Sequence, residues 1–591
     1  GDGLRMLFDP QASPARPAMT SKPPRDETPS RTPDAPRDPQ RRRLLGGLAV
    51  AGAGLALGGE AARAAMAAAP TGAAVVDDTA MDTLLREHID HVVVLFAENR
   101  SFNNLFAGFP GLAEPLEALA PERAVQMDRD GTPLKTLPPI WHGLVPHAQT
   151  VNHRTYHVRE ADLTGLPNAP FALHTPDGEP LPQGVVTRDL IHAFYQNQMQ
   201  INGGRNDGFV AWGDSGALVM GHYGDNAVNL RLWRLAEQYT LCDRFFMGAF
   251  GGSFLNHQYL VAAQPPFYPH ADTSPAQYNI AVTESGRVDD PRLKLAHDSP
   301  ASAMDGKPKF EGRSTLTPDF HAVNTIGPAY APAFTQDPTD PTRADPASPN
   351  TLPPQHHKHI GDMLSAKGID WAWYAGAFQA ALDGHGDGPE GEFPDRPNFQ
   401  VHHQPFNYFA SLAPGTAARR QHLRDGGLGE TAPGNRFIAD ALAGKLPPVA
   451  FYKPQGNLNM HAGYSDVEAG DRHLARVVQA LQKSPLWKKM LIVITFDENG
   501  GWWDHVAPPK GDRWGPGTRI PAIIVSPWAK RGHVDHTTYD TGSIARFITR
   551  RFGLEKLPGL ALREEAMIAA GGPAPGDLTA ALDFSHAKRR A

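Results

Sequence analysis

The sequence predicts an α/β protein with a mostly parallel central sheet, helices on both faces and long loop insertions. Two observations carry this. Short apolar, β-branched runs alternate with amphipathic helical stretches, the pattern of buried strands joined by helical crossovers. Between them lie Pro-, Asp- and Gly-rich segments, roughly Gln264 to His356 and Ala377 to Asn398. These lack periodicity and are too long for plain connections, so they read as insertions over the functional face.

The elements follow in order. Val92 to Ala97 is the first strand, and Thr240 to Phe246 the second, preceded by "LRLWRLAEQ" at helical spacing. "DWAWYA", "PPVAFYK", "LIVITF" and "IPAIIVSP" are further strands. "DRHLARVVQALQKS" (Asp471 to Ser484) is an amphipathic helix running directly into the strand at Leu491. No internal repeat interrupts the series.

At 591 residues the chain can hold several average domains or one large α/β domain with insertions. A hydrophobic fraction of 41% with 20% charged residues describes a soluble globular protein. The net charge of −7, with no basic stripe, argues against nucleic acid as a partner. One cysteine, Cys242, excludes an intrachain disulfide and a zinc-thiolate cluster.

Residues 1–40 are rich in Pro, Arg, Asp and Ser and read as a disordered extension. Arg41 to Arg43 then precede the apolar run Leu44 to Gly58, followed by small-residue sites such as Ala67-Ala68-Ala69. The run is too short and glycine-rich to favour a spanning helix. Residues 41–69 therefore predict a twin-arginine signal, with the export machinery as partner and a periplasmic or secreted location. No cysteine follows the signal, so no lipid anchor is expected.

Two strands end in acidic residues. "LIVITFDENGG" breaks into Asp497 and Glu498, and "HVVVLFAENR" into Glu98 and Asn99. Functional groups of open α/β sheets gather at the carboxyl ends of strands. If these two strands are neighbours, three carboxylates and an amide oxygen converge, a hard-oxygen set for one divalent cation that would relieve their repulsion. Taken singly, each stretch also reads as a solvated Asx-Gly turn. In "CDRFFMGAFGGSFLNHQYL" a strand runs through Gly251-Gly252 into Ser253 and a helix. Ser253 is an ordinary cap by itself, and a feasible alkoxide nucleophile beside a cation. His402 and His403 in "FQVHHQPFNYF", His461 in "NLNMHAGYSD" and His192 in "RDLIHAFYQ" can bind phosphate oxygens as cations or protonate a leaving oxygen.

"HVVVLFAENRSFNNLFAGFPG", "GGSFLNHQYL", "NMHAGYSDVEAG" and "ITFDENGGWWDHVAPP" resemble the bacterial phospholipase C/acid phosphatase phosphoesterase family, of the alkaline-phosphatase-like superfamily. The likeness spans about His91 to Phe552 in the family's order. It implies a three-layer alkaline-phosphatase-like fold and a single catalytic domain over 90–591. It implies metal ligation by Glu98, Asn99, Asp497 and Glu498, with Ser253 as ligand and nucleophile. It further implies a phosphate pocket completed by His402, His403 and His461, with Asn99 also touching substrate and His192 a looser match. Asp504-His505 also matches but receives no role. Ser253 in place of threonine, together with "HHQPFNYF", is more similar to the acid phosphatase branch. The short chain beyond Glu498 is expected to lack the extra β domains of the phosphatidylcholine-cleaving branch. The implied activity is acid phosphatase on small phosphomonoesters. The alternatives are a phospholipase C acting on phospholipid head groups and a non-catalytic phosphate-binding protein.

Overall fold

A computed structural model describes residues 78–384 and 397–585. The predicted extension, the twin-arginine signal and part of the second insertion lie outside the described residues. Eight strands form the main sheet: β1 (His91–Ala97), β2 (Thr240–Cys242), β3 (Trp371–Gly376), β4 (Leu423–Gly427), β5 (Val449–Lys453), β6 (Met490–Phe496), β7 (Ala522–Val525) and β8 (His533–Asp535). Their spatial order is β8-β2-β7-β6-β1-β5-β3-β4. All pairs are parallel except the two made by β7, which runs against both β6 and β2. Every residue of β6 is buried, and all of β1 after His91. An apolar run without alternation is what a strand covered on both faces requires.

The helices that cover it sort into two sets. Helix α1 (Asp78–His88) and α3 (Ser253–Ala262) pack on α7 (Gly542–Phe552), and α4 (Ile360–Ala366) packs on α3. Separately, α2 (Arg231–Gln238) and α5 (Arg436–Leu442) pack on α6 (Val467–Lys483). All ten residues of α3 are buried, the polar Ser253, Asn256, His257 and Gln258 among them.

Several boundaries differ from the sequence reading. The expected strand from Thr240 to Phe246 is broken at Asp243, and Phe245–Phe246 pairs instead with Tyr539–Asp540 in a separate ribbon. Asp243 turns the chain there, its carboxylate accepting the Ala113 N–H at 2.8 Å. Helix α6 begins four residues earlier than its apolar face suggested, because Asp466 caps it by accepting the Ala469 N–H at 2.7 Å. The segment from Gln264 to His356 holds short 3-10 helices and isolated β-bridges, and no α-helix or longer strand, yet Leu316, Ala322, Val323 and Leu352 are fully buried. Arg129 ties it down by donating to the carbonyls of Pro300, Ser302 and Gly306.

Asp504 and His505 have a structural place. Arg519 Nε donates to Asp504 Oδ1 at 3.0 Å, with both side chains buried, and Asp504 Oδ2 accepts the Asn103 N–H at 2.9 Å. The His505 ring lies 3.0 Å from both Asn103 Oδ1 and the Glu114 carbonyl. The Arg519 carbonyl accepts the Phe102 N–H at 3.0 Å. These bonds clamp the chain leaving β1 to the loops after β6 and before β7. Arg519→Met should therefore strand a buried carboxylate and destabilise the protein by about 3–5 kcal/mol in urea unfolding. Asp504→Asn should cost less, since an amide still accepts from Arg519. Equal unfolding midpoints for Arg519→Met and the parent would refute the clamp.

Candidate active site

The site begins with strand register. Strands β1 and β6 pair so that Ala97 faces Phe496, and the next residue on each is an acid, Glu98 and Asp497. Both are fully buried, as are Asn99 and Glu498. The backbone then turns sharply. Asn99 takes a left-handed conformation (φ 42°), which asparagine tolerates better than most residues. Gly500 (φ 62°) approaches so closely that a Cβ would lie 2.2 Å from the Asn99 carbonyl oxygen. That contact accounts for the glycine after "DEN". Asp497 Oδ1 accepts the N–H groups of Asn99 (3.2 Å) and Glu498 (2.9 Å), binding the two strand ends to each other.

Ser253 opens helix α3 against this pair. Its Oγ lies 3.1 Å from Glu98 Oε2 and 3.2 Å from Glu498 Oε1. Gly252 occupies the cap position and Ser253 the first helical turn, where backbone N–H groups lack intrahelical acceptors and suit an anion. Gly251 (φ 92°) brings the turn against Phe194, where a Cβ would meet the backbone nitrogen at 2.5 Å.

Two side chains absent from the sequence reading belong here. Lys453, the last residue of β5, is buried with Nζ 2.6 Å from Glu98 Oε1. His257, one helical turn after Ser253, bonds the Ser253 carbonyl at 2.7 Å and lies 3.8 Å from Asp497 Oδ2. Both carried a signal: a lone charge ending an apolar strand, and an i, i+4 spacing on the serine's helix.

The histidines expected in the pocket separate into two tiers. His192 and His461 lie at the opening, with side chains 16% and 9% exposed, and His402 is 7% exposed. His192 Nε2 is 3.7 Å from Glu498 Oε1, and His461 Nε2 is 3.9 Å from Glu98 Oε2. His403 is fully buried behind Glu98, its Nε2 2.9 Å from Oε1. Its location suits orienting Glu98, not touching substrate. Asn99 Oδ1 accepts the Ala462 N–H at 3.3 Å, while its buried Nδ2 makes no hydrogen bond, a donor left for a substrate oxygen.

Electrostatics corrects one expectation. Burial favours neutral imidazole, and it holds His402 well below the ordinary value, helped by the neighbouring His403. Burial likewise takes His403 down to about 4 despite its bond to Glu98, and lowers His461. His402 and His403 are therefore neutral in mild acid and do not serve as the phosphate-binding cations expected from their tandem. His192 carries that charge. Burial works to lower it, but the carboxylates of Glu498 and Asp189 raise it to about 9. For Glu98, burial works upward, yet the Lys453 ammonium and the His403 bond hold it well below the carboxylate range. Burial, reinforced by the Glu98 charge, pushes Asp497 well above that range. Burial, opposed by His192, brings Glu498 to about 7.

The donor set fits a divalent cation. Asp497 Oδ2 is buried and makes no hydrogen bond, and carboxylate, amide and hydroxyl oxygens of Glu98, Glu498, Asn99 and Ser253 surround the same strand ends. Donor atoms of Glu98, His257 and Asp497 lie within 4.8 Å of one another. A buried acid group, a hydroxyl on a helix N-terminus and a ring of histidines form the equipment of a phosphoester hydrolase.

Comparison with known proteins agrees. A family model described as the Phosphoesterase family matches residues 89–555. The chain belongs to the Phosphoesterase family and is a hydrolase acting on phosphoric ester bonds. It is similar to phospholipase C B of Mycobacterium tuberculosis (strain ATCC 25618 / H37Rv), with 24% identity over 531 residues covering 84% of this chain and 78% of that protein. Non-hemolytic phospholipase C of Pseudomonas aeruginosa is 31% identical over 179 residues, covering 25% of this chain and only 25% of that protein's length. A solved structure from Vibrio parahaemolyticus, described as in the alkaline phosphatase superfamily, is 11% identical with a TM-score of 0.27, covering 59% of this chain and 63% of that chain.

Because Asp497 and Glu498 hold protons more tightly than ordinary carboxyls, a cation entering the site must displace protons. Metal affinity should accordingly fall as pH drops through about 7. Binding should also release protons, read as a dependence of calorimetric heat on buffer ionisation enthalpy. A metal affinity flat between pH 8 and 5 would contradict this.

Proposed function

We propose that the chain is an exported, metal-dependent acid phosphatase that hydrolyses phosphomonoesters through a phosphoserine at Ser253. The observation carrying this reading is the placement of Ser253 Oγ between Glu98 Oε2 and Glu498 Oε1 at the mouth of α3. Glu98, Asn99, Ser253, Asp497 and Glu498 would hold one divalent cation, which supplies charge neutralisation and favours ionisation of the serine hydroxyl.

The remaining steps belong to the chain's own groups. The first-turn N–H groups of α3, the Asn99 amide and the charged His192 orient the phosphoryl oxygens. Ser253 Oγ attacks phosphorus, and its proton passes to Glu498, within hydrogen-bond reach at 3.2 Å. The bond to the alcohol breaks opposite, and the charged His192 at the opening protonates the departing oxygen. Water then attacks the phosphoserine, the same histidine accepts its proton, the bond from phosphorus to Ser253 Oγ breaks, and Glu498 returns the proton that regenerates the hydroxyl. Positioning and charge stabilisation account for nearly all of this catalysis. A protein that merely bound phosphate would have no need of a hydroxyl in that turn.

Monoester preference is supported by Ser253 and "HHQPFNYF", both similar to the acid phosphatase branch. The phospholipase C reading is favoured by the names of the relatives, one matched over 84% of this chain. Comparing p-nitrophenyl phosphate with p-nitrophenylphosphorylcholine separates them: the monoester should win by kcat/KM, and a better choline diester would give the site to the phospholipase reading.

Ser253→Ala should lower turnover at least roughly a thousandfold while phosphate still binds, since the histidines and carboxylates remain. Trapping of phosphate on any other residue would refute the nucleophile. Export is supported by Arg41 to Arg43 ahead of the apolar run. Replacing all three with Lys should retain the precursor in the cytoplasm, and undiminished processed enzyme outside would overturn that part.

A further inference from the structure

We propose that Lys453 stands in the place of a second cation, which limits the site to one metal ion per chain, and that removing it uncovers a latent second site formed by Glu98, His402 and His403. The inference rests on the metal-dependent reading above and concerns why one ion suffices.

The Glu98 carboxylate is divided between two surroundings. Oε2 faces Ser253 at 3.1 Å and His461 at 3.9 Å, on the side where the oxygen donors gather. Oε1 faces the other way, toward Lys453 Nζ at 2.6 Å and His403 Nε2 at 2.9 Å. Donor atoms of Glu98, His402 and His403 lie within 4.8 Å of one another, with His403 on the Oε1 side. His402 Nδ1 is also buried without a hydrogen-bond partner. Two imidazoles and a carboxylate make a softer set than the oxygen donors opposite, of the kind that takes Zn²⁺ or Co²⁺.

Lys453 already supplies the positive charge that such an ion would bring. It is fully buried, ends the strand next to β1, and lies 5.2 Å from the Phe96 ring centroid, a favourable contact for an ammonium. With an ion among the oxygen donors, the charges of Glu98, Asp497 and Glu498 are met by that ion, by the charged His192 beside Glu498 and by Lys453, which alone lies against Oε1 as a fixed cation. A divalent ion on Oε1 would have to share that oxygen with the ammonium, and like charges in a dry setting repel strongly. Remove the ammonium and Oε1 loses its neutralising cation while it still faces His403, with His402 beside it.

The test is a metal count on the whole chain, by Co²⁺ titration with elemental analysis and visible absorption. The parent protein should saturate at one Co²⁺. Lys453→Met should take two, the second with the more intense bands of a low-coordinate histidine site, and adding His402→Ala to that variant should return it to one. Lys453→Gln, which keeps a polar group in the cavity, should behave as Lys453→Met does and serves if the methionine variant does not fold. Two ions in the parent would overturn the inference while leaving the metal-dependent reading intact. No ion in the parent would sink that reading and this inference together. A folded Lys453 variant that still stops at one ion would show Lys453 to be only a partner that orients Glu98.

Discussion

The site is governed by one constraint. The register of β1 against β6 delivers Glu98 and Asp497 side by side into the buried interior, with Glu498 next in line. Like charges there are tolerated only if neighbouring groups divide their field. Lys453 and His403 take one oxygen of Glu98, and Ser253 approaches the other. Asp497 spends one oxygen on two backbone N–H groups and leaves the second unsatisfied. Even the glycine at position 500 answers this constraint, since the acidic strand end must fold back upon the Asn99 carbonyl.

How much of this was legible depended on whether a residue violated its local setting. Glu98, Asn99, Asp497 and Glu498 break apolar runs and so announced themselves, and Ser253 followed two glycines at a strand-to-helix turn. Lys453 also breaks such a run, but a terminal lysine ordinarily reaches water along its own stem, so nothing local marked it as buried. His257 becomes visible only once α3 is phased from Ser253. Strand β4, "LRDGG", is polar and lies at the sheet edge, where pairing and not composition makes it a strand. The direction of β7 was unreadable, because a strand buried on both faces presents the same apolar run whichever way it points.

The histidines show the same limit in electrostatic form. His402 and His403 stand out in sequence as a tandem, yet their charge is decided by burial and by each other. His192 sits in the least distinctive stretch and is the one held positive, because two carboxylates from separate parts of the chain flank it. Residue type gave the repertoire of each group, and only the packed surroundings selected the protonation state.

Strand β1 lies at the middle of the sheet but is made first. Its partner contact from Asn99 to Asp497 joins residues 398 apart in the chain. Synthesis at about 5–20 residues per second separates the two by roughly 20–80 s. Until Val449–Lys453 has been made, "VVVLFA" is an apolar segment with both edges unpaired, the kind of segment that invites pairing with another chain. The centre of the sheet and the acidic cluster it carries can therefore close only late in synthesis.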